Sequence, residues 1–166
     1  MKNYKNVTYL SLGSNLGDKK SVILKAIEKL EKLGFILAVA PFYQTEPWGF
    51  DSENYFINTA IILWIDENPL QLYQKIHAIE KSFGEKINSR ESGYHSRIID
   101  IDILYYNDEI IKTPTLQIPH PRLHERKFVL QPLLDIASDF IHPILKKDTK
   151  TLYEECSDNG MVLRID

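Results

Sequence analysis

The sequence predicts an α+β fold in a single domain over residues 1–166. Three observations carry this: two stretches with apolar residues at helical spacing, four apolar runs of strand length around them, and no repeat or low-complexity linker. Val7–Leu12 reads as the first strand, broken by Gly13-Ser14-Asn15-Leu16-Gly17-Asp18. With no Rossmann or P-loop pattern beside it, that glycine run reads as a structural turn. A helix over Lys19–Leu33 follows. Val22, Ile23, Ala26, Ile27, Leu30 and Leu33 form its stripe, with Asp18 as N-cap and Gly34 as the stop. Phe35–Tyr43 reads as the second strand, Gln44–Glu53 as a loop and Asn54–Ile65 as a long third strand. Asn68-Pro69 opens a second helix with a cap followed by proline; Leu72, Ile76, Ile79 and Phe83 mark its buried side and Gly84 ends it. Glu85–Ser96 is polar and irregular. Ile98–Tyr105 is the fourth strand, turned by Asn107-Asp108. Ile110-Ile111 and Leu116-Gln117-Ile118 suggest a small extra pairing, Lys127–Ile136 a short helix, and the rest an irregular tail. This order is the split βαββαβ, ferredoxin-like arrangement: an antiparallel sheet with helices packed on one face, plus a small C-terminal extension.

The apolar fraction of 43% and charged fraction of 26% are ordinary for a globular domain. A net charge of −3 argues against a sequence-blind nucleic-acid binder. The single cysteine, Cys156, excludes an internal disulfide framework and a Cys-rich zinc site. No segment has the apolar length of a membrane span, and Met1–Asn6 lacks an apolar signal core. The expectation is a cytoplasmic protein with no membrane partner.

The most informative run is Arg97-Ile98-Ile99-Asp100-Ile101-Asp102-Ile103-Leu104. In a strand, residues i and i+2 share a face at roughly 6–7 Å. Asp100 and Asp102 therefore face one way, and Ile99, Ile101 and Ile103 the other. Two carboxylates on a rigid strand suit a hard cation such as Mg²⁺, and Arg97 upstream suits a phosphate. Four of the five arginines, Arg90, Arg97, Arg122 and Arg126, fall in this part of the chain with His120 and His124. Together they describe a nucleoside-triphosphate site without a P-loop. The plain alternatives are an acidic exposed strand face and a solvated turn over Pro119–Arg126. A zinc pair at His120 and His124 lacks third and fourth ligands. A third group, Gln44–Phe50 with Tyr55, Phe56, Asn58 and Phe128, suits a flat heteroaromatic ring, stacked by aromatic faces and read at its edge by an amide. Its alternative is ordinary core.

Several motifs occur in one order over residues 7–140: Leu12-Gly13-Ser14-Asn15-Leu16; Tyr43-Gln44-Thr45-Glu46-Pro47; Asn58; Glu80; the Arg97–Leu104 run; and Ile118-Pro119-His120-Pro121-Arg122 with Arg126 and Phe128. In this the chain resembles the 6-hydroxymethyl-7,8-dihydropterin pyrophosphokinases of folate biosynthesis. The resemblance implies transfer of pyrophosphate from ATP to the pterin hydroxymethyl group, with AMP released. A monomer with no nucleic-acid partner is the expectation. It implies two Mg²⁺ ions on Asp100 and Asp102, and Arg97, Asp100 and Asp102 as the catalytic set. Asn58 would read the pterin edge beside Thr45, Glu46 and Trp48, with Asp100 near the attacking hydroxyl. Phe128 would stack on one pterin face and Phe56, or its neighbour Tyr55, on the other. His77, Glu80, Tyr94 and Ile103 would lie on the ATP side, and Arg97, His120 and Arg126 at the triphosphate. The chain departs from the family at Gly84-Glu85-Lys86-Ile87-Asn88 and Tyr94-His95-Ser96-Arg97. Tyr94 stands there for a common tryptophan, and Lys86 or Arg90 for missing basic residues. The competing readings are a nucleotidyltransferase that releases pyrophosphate, a nucleic-acid-binding module, and an inactive paralogue.

Overall fold

The computed structural model describes residues 2–46, 55–84, 87–88, 95–96 and 98–166, with backbone alone at 87–88 and 95–96. In chain order the elements are β1 (Asn6–Ser14), α1 (Lys19–Glu31), β2 (Gly34–Val39), β3 (Tyr43–Thr45), β4 (Phe56–Ile65) and α2 (Pro69–Ser82). There follow β5 (Ile87–Asn88), β6 (His95–Ser96), β7 (Asp100–Tyr106), β8 (Ile111–Lys112), β9 (Gln117–Ile118) and a 3-10 turn at Leu123–Glu125. The chain ends with α3 (Lys127–Ala137), α4 (Thr149–Glu155) and β10 (Val162–Arg164).

A six-stranded sheet runs β10-β3-β4-β1-β7, with β2 also paired to β4. Every pairing in it is antiparallel. The long β4 serves two partners. Its start pairs with β3, its end with β2. The run expected as one strand over 35–43 is therefore two. Pro41 lies between them and has no N–H to give to a ladder. The Ala40 N–H reaches the Ala60 carbonyl (2.9 Å), and the Thr59 hydroxyl donates to the Ala40 carbonyl (2.9 Å).

The helix ends follow local chemistry. The Asp18 carboxylate accepts the Ser21 N–H at 3.3 Å. Asn68 and Gln71 form a capping box at 2.9 and 3.0 Å. Gly84, at φ +114°, closes α2 in a conformation that costs other residues dearly. Gly34 does not stop α1. It opens β2 where a Cβ would lie 1.8 Å from the Trp64 carbonyl oxygen, so its role is close strand approach.

Helices cover both faces of the sheet, not one. On the first face Ile23, Leu30, Leu72 and Ile76 pack against Leu10, Leu12, Ile61 and Ile101. On the second, Leu130, Leu133 and Leu152 pack with Tyr105 and Tyr9. A bulge permits this. Tyr9 pairs with Tyr105 and Leu10 with Ile103, so Leu104 is extra and Tyr105 turns to the second face. The tail is not irregular: α4 packs in this second layer, and β10 extends the sheet beyond β3. No helix among the described residues is long and apolar enough to cross a membrane.

Candidate active site

The alternation Asp100-Ile101-Asp102-Ile103 folds as its period requires. Ile99, Ile101 and Ile103 are buried in the first core, and the two carboxylates turn to the other face at the sheet's edge strand. They open into a cleft of about 370 Å³ whose lining includes His77 and Glu80 of α2, Ile103, and His120. Five of the residues expected at the ATP and metal sites thus meet Asp100 there. The Glu80 carboxylate accepts the Ile101 N–H at 3.1 Å, bracing the backbone between the two aspartates. His77 Nδ1 lies 3.5 Å from Glu80 Oε1.

His120 is hung on the strand by its own N–H, which donates to the Leu104 carbonyl at 3.0 Å. Its Nδ1 accepts the Arg122 N–H at 3.1 Å. Burial and the nearby Arg126 guanidinium push its pKa down to about 4, against the pull of Asp100. The ring is neutral at physiological pH, and its remaining proton sits on Nε2, 3.9 Å from Asp102 Oδ2. Arg126 lies with its guanidinium carbon 5.7 Å from the Phe128 ring centre. His124 sits apart from this group, edge-on to His142 at 6.4 Å. Among the described residues no three His, Cys, Asp or Glu side chains gather into a metal cluster.

The acceptor-side residues lie on the same face, on β4 and β3 beyond β1. Gly13 of β1 is paired with Asn58 on one side and Asp100 on the other. Cross-strand partners share a face, so Asn58 and Asp100 stand two strand spacings apart, roughly 10 Å, with only a glycine between them. A Cβ on Gly13 would meet Asn58 Oδ1 at 2.4 Å and the Phe56 ring at 3.7 Å. Asn58 and Thr45 are almost wholly buried. The Asn58 amide nitrogen donates to the Thr45 hydroxyl at 2.5 Å, which turns the amide oxygen toward Gly13. Glu46 follows Thr45 at the end of β3. Ser14, also buried, donates to the Ile98 carbonyl at 2.5 Å and ties the entry of β7 to β1. Trp48, Tyr94 and Arg97, like Lys86 and Arg90, lie outside the described residues.

Gly13 and Ser14, which read locally as a turn, are the last two residues of β1. Their signal was position: both continue the apolar run of β1, Gly13 into the row of Asn58 and Asp100 and Ser14 opposite Ile57.

The described fold matches that of a solved Plasmodium falciparum HPPK-DHPS with a TM-score of 0.73 at 19% identity, over 93% of this chain and 46% of that one. The 2-amino-4-hydroxy-6-hydroxymethyldihydropteridine pyrophosphokinase of Aquifex aeolicus is 43% identical over 147 residues, covering 89% of this chain and 90% of that protein. The folic acid synthesis protein FOL1 of Dictyostelium discoideum is 41% identical over 160 residues; this chain spans 24% of its length. The family model for 7,8-dihydro-6-hydroxymethylpterin-pyrophosphokinase (HPPK) matches residues 9–138, from β1 to the end of α3. The chain belongs to that family of pyrophosphokinases.

Proposed function

We propose that this chain transfers pyrophosphate from ATP to the hydroxymethyl group of 6-hydroxymethyl-7,8-dihydropterin in folate synthesis, releasing AMP. The observation that carries the reading is the row Asn58–Gly13–Asp100, which sets an amide suited to a ring edge on the same sheet face as the carboxylates of the cleft. The substrate hydroxyl oxygen forms a bond to the β-phosphorus as the bond from that phosphorus to the α–β bridging oxygen breaks. AMP leaves with the bridging oxygen, and the hydroxyl proton is released.

In this reading Asn58 orients the pterin, with Thr45 and Glu46 beside it and Phe56 and Phe128 against its faces. Trp48 belongs to the same group. His77, Glu80, Tyr94 and Ile103 lie on the nucleotide side, and Arg97, His120 and Arg126 meet the triphosphate. The neutral His120 serves as a hydrogen-bond donor, not as a charge. Asp100 and Asp102 suit two Mg²⁺ ions, which take few protein carboxylates and complete their shell with water and phosphate oxygens. Magnesium held there supplies charge neutralisation for the phosphates. Catalysis by positioning and electrostatics is expected for such a transfer.

The sheet supports a ferredoxin-like assignment. Its order β7-β1-β4-β2 means that α1 and α2 each connect strands separated by one antiparallel neighbour. Both cores rest on that single sheet, in keeping with one domain; a monomer is the state this reading expects.

The test is incubation with ATP, Mg²⁺ and the pterin, with nucleotides resolved. AMP that depends on the pterin is expected, and ADP or no change refutes the proposal. Asp102→Ala should lower turnover by more than about 100-fold while the protein melts as the wild type does.

A further inference from the structure

The helix that carries Phe128 has no cap of its own. Arg126 stands at the N-cap position of α3 and makes no side-chain cap hydrogen bond. The cap comes from far down the chain. Asp158 Oδ2 accepts the Lys127 N–H at 3.0 Å, and Oδ1 of the same carboxylate accepts the Gly160 N–H at 2.9 Å. A carboxylate at the first turn of a helix satisfies an otherwise unpaired donor and opposes the positive end of the helix dipole.

From Gly160 the chain runs directly into the other side of the acceptor site. The Met161 carbonyl accepts the Glu46 N–H at 3.4 Å, and Val162 pairs with Thr45 as β10 joins β3. Thr45 in turn holds the Asn58 amide. The closure continues to the terminus: the Ile165 N–H donates to the Phe42 carbonyl at 3.1 Å, and Asp166 Oδ1 accepts the Phe42 N–H at 2.9 Å. One short segment thus joins the start of α3, with Phe128 one residue past the capped N–H, to the strand that holds Asn58 in place. It lies beyond the residues 9–138 that the family model matches.

We propose that Asp158 is a positioning residue for the pterin acceptor, setting the distance between the stacking ring of Phe128 and the Thr45–Asn58 wall. The inference rests on the pterin reading given above. Asp158 touches neither substrate; it acts through the backbone at Lys127 and through β10. The nucleotide cleft is built on β7, α2 and the residues around His120; among the described residues the Asp158 clasp makes no bond to these elements and meets the nucleotide side only through Arg126, the residue before Lys127. Loss of the clasp therefore loosens both walls of the pterin site, Phe128 and Thr45–Asn58, and reaches the nucleotide side at Arg126 alone.

The experiment compares steady-state kinetics of the full wild-type chain with Asp158→Ala and Asp158→Asn, varying pterin and ATP separately. For Asp158→Ala the expected result is a KM for pterin raised about tenfold, with the KM for ATP raised no more than about threefold and kcat at saturating pterin within twofold of wild type. Asp158→Asn keeps one acceptor oxygen, enough for the Lys127 or the Gly160 N–H but not both, and should recover part of the pterin affinity. Asp158→Ser, whose shorter side chain cannot span Lys127 and Gly160, serves if the alanine variant does not fold, with a several-fold rise in pterin KM expected. Unchanged pterin KM, equal loss for both substrates, or no recovery with asparagine overturns the proposal. A wild-type chain that forms no pterin-dependent AMP overturns the reaction itself. An active wild type with unselective variants overturns only the role of Asp158.

Discussion

Asn58 is a buried amide whose usefulness depends on which way it points. The Thr45 hydroxyl accepts its N–H, leaving the oxygen turned to the gap over Gly13. That gap exists because Gly13 has no side chain. Adding one methyl there puts a carbon 2.4 Å from the Asn58 oxygen, a distance that forces the amide to move. Gly13→Ala is expected to raise the pterin KM at least tenfold. It should also cost roughly 1–3 kcal/mol of stability, the usual range for overpacking. Chemical denaturation and pterin titration of one preparation check both effects. Asn58 was legible in the sequence as a polar residue among aromatics. Gly13 was not, because its importance lies in what stands on either side of it, and strand register is not written in a local pattern.

Elements differ in how far local residues decide them. α2 is wholly local: Asn68, Pro69 and Gln71 open it, an apolar stripe buries it, and Gly84 closes it. β2 is not. Its first residue looks like a helix stop, yet Gly34 serves the sheet, with its Cα facing the Trp64 carbonyl. Gly34→Ala would place a carbon 1.8 Å from that backbone oxygen, which cannot rotate away. The strands must separate or the protein must unfold. A loss of roughly 3 kcal/mol or more is expected, at the upper end for single substitutions. Thermal melting and soluble yield measure it, and a variant as stable as wild type would contradict the strand-approach account. The division of the 35–43 run into β2 and β3 has the same character. Pro41 marks the break, but only a partner strand as long as β4 leaves room for two neighbours in line.

At the scale of the whole molecule, one sheet carries a core on each face, and the second is closed by the C-terminal region. His142 belongs to that closure. Its Nδ1 accepts N–H groups from Ile144 and Leu145 at 3.1 and 3.0 Å, which demands an unprotonated nitrogen. Burial, with His124 nearby, pushes its pKa down to about 4 from the ordinary 6.5. Between those values the unfolded chain binds a proton that the folded chain refuses, so stability falls as pH falls and is full above about 6.5. The Tm should decline from pH 6.5 to 4.5, and His142→Asn, which keeps an acceptor but does not titrate, should flatten the decline. His120 titrates in the same window, so some slope should persist in that variant. The sequence by itself determined α1 and α2, their N-caps Asp18 and Asn68, and the alternation that puts Asp100 and Asp102 on one side of β7. Each of these is set by neighbours a few residues apart. Only the tertiary structure decided the row from Asn58 through Gly13 to Asp100, the bulge that sends Tyr105 to the second core, and the return of Asp158 to the start of α3. Each depends on pairing between segments distant in the chain, and such pairing is settled by burial and register over the whole sheet.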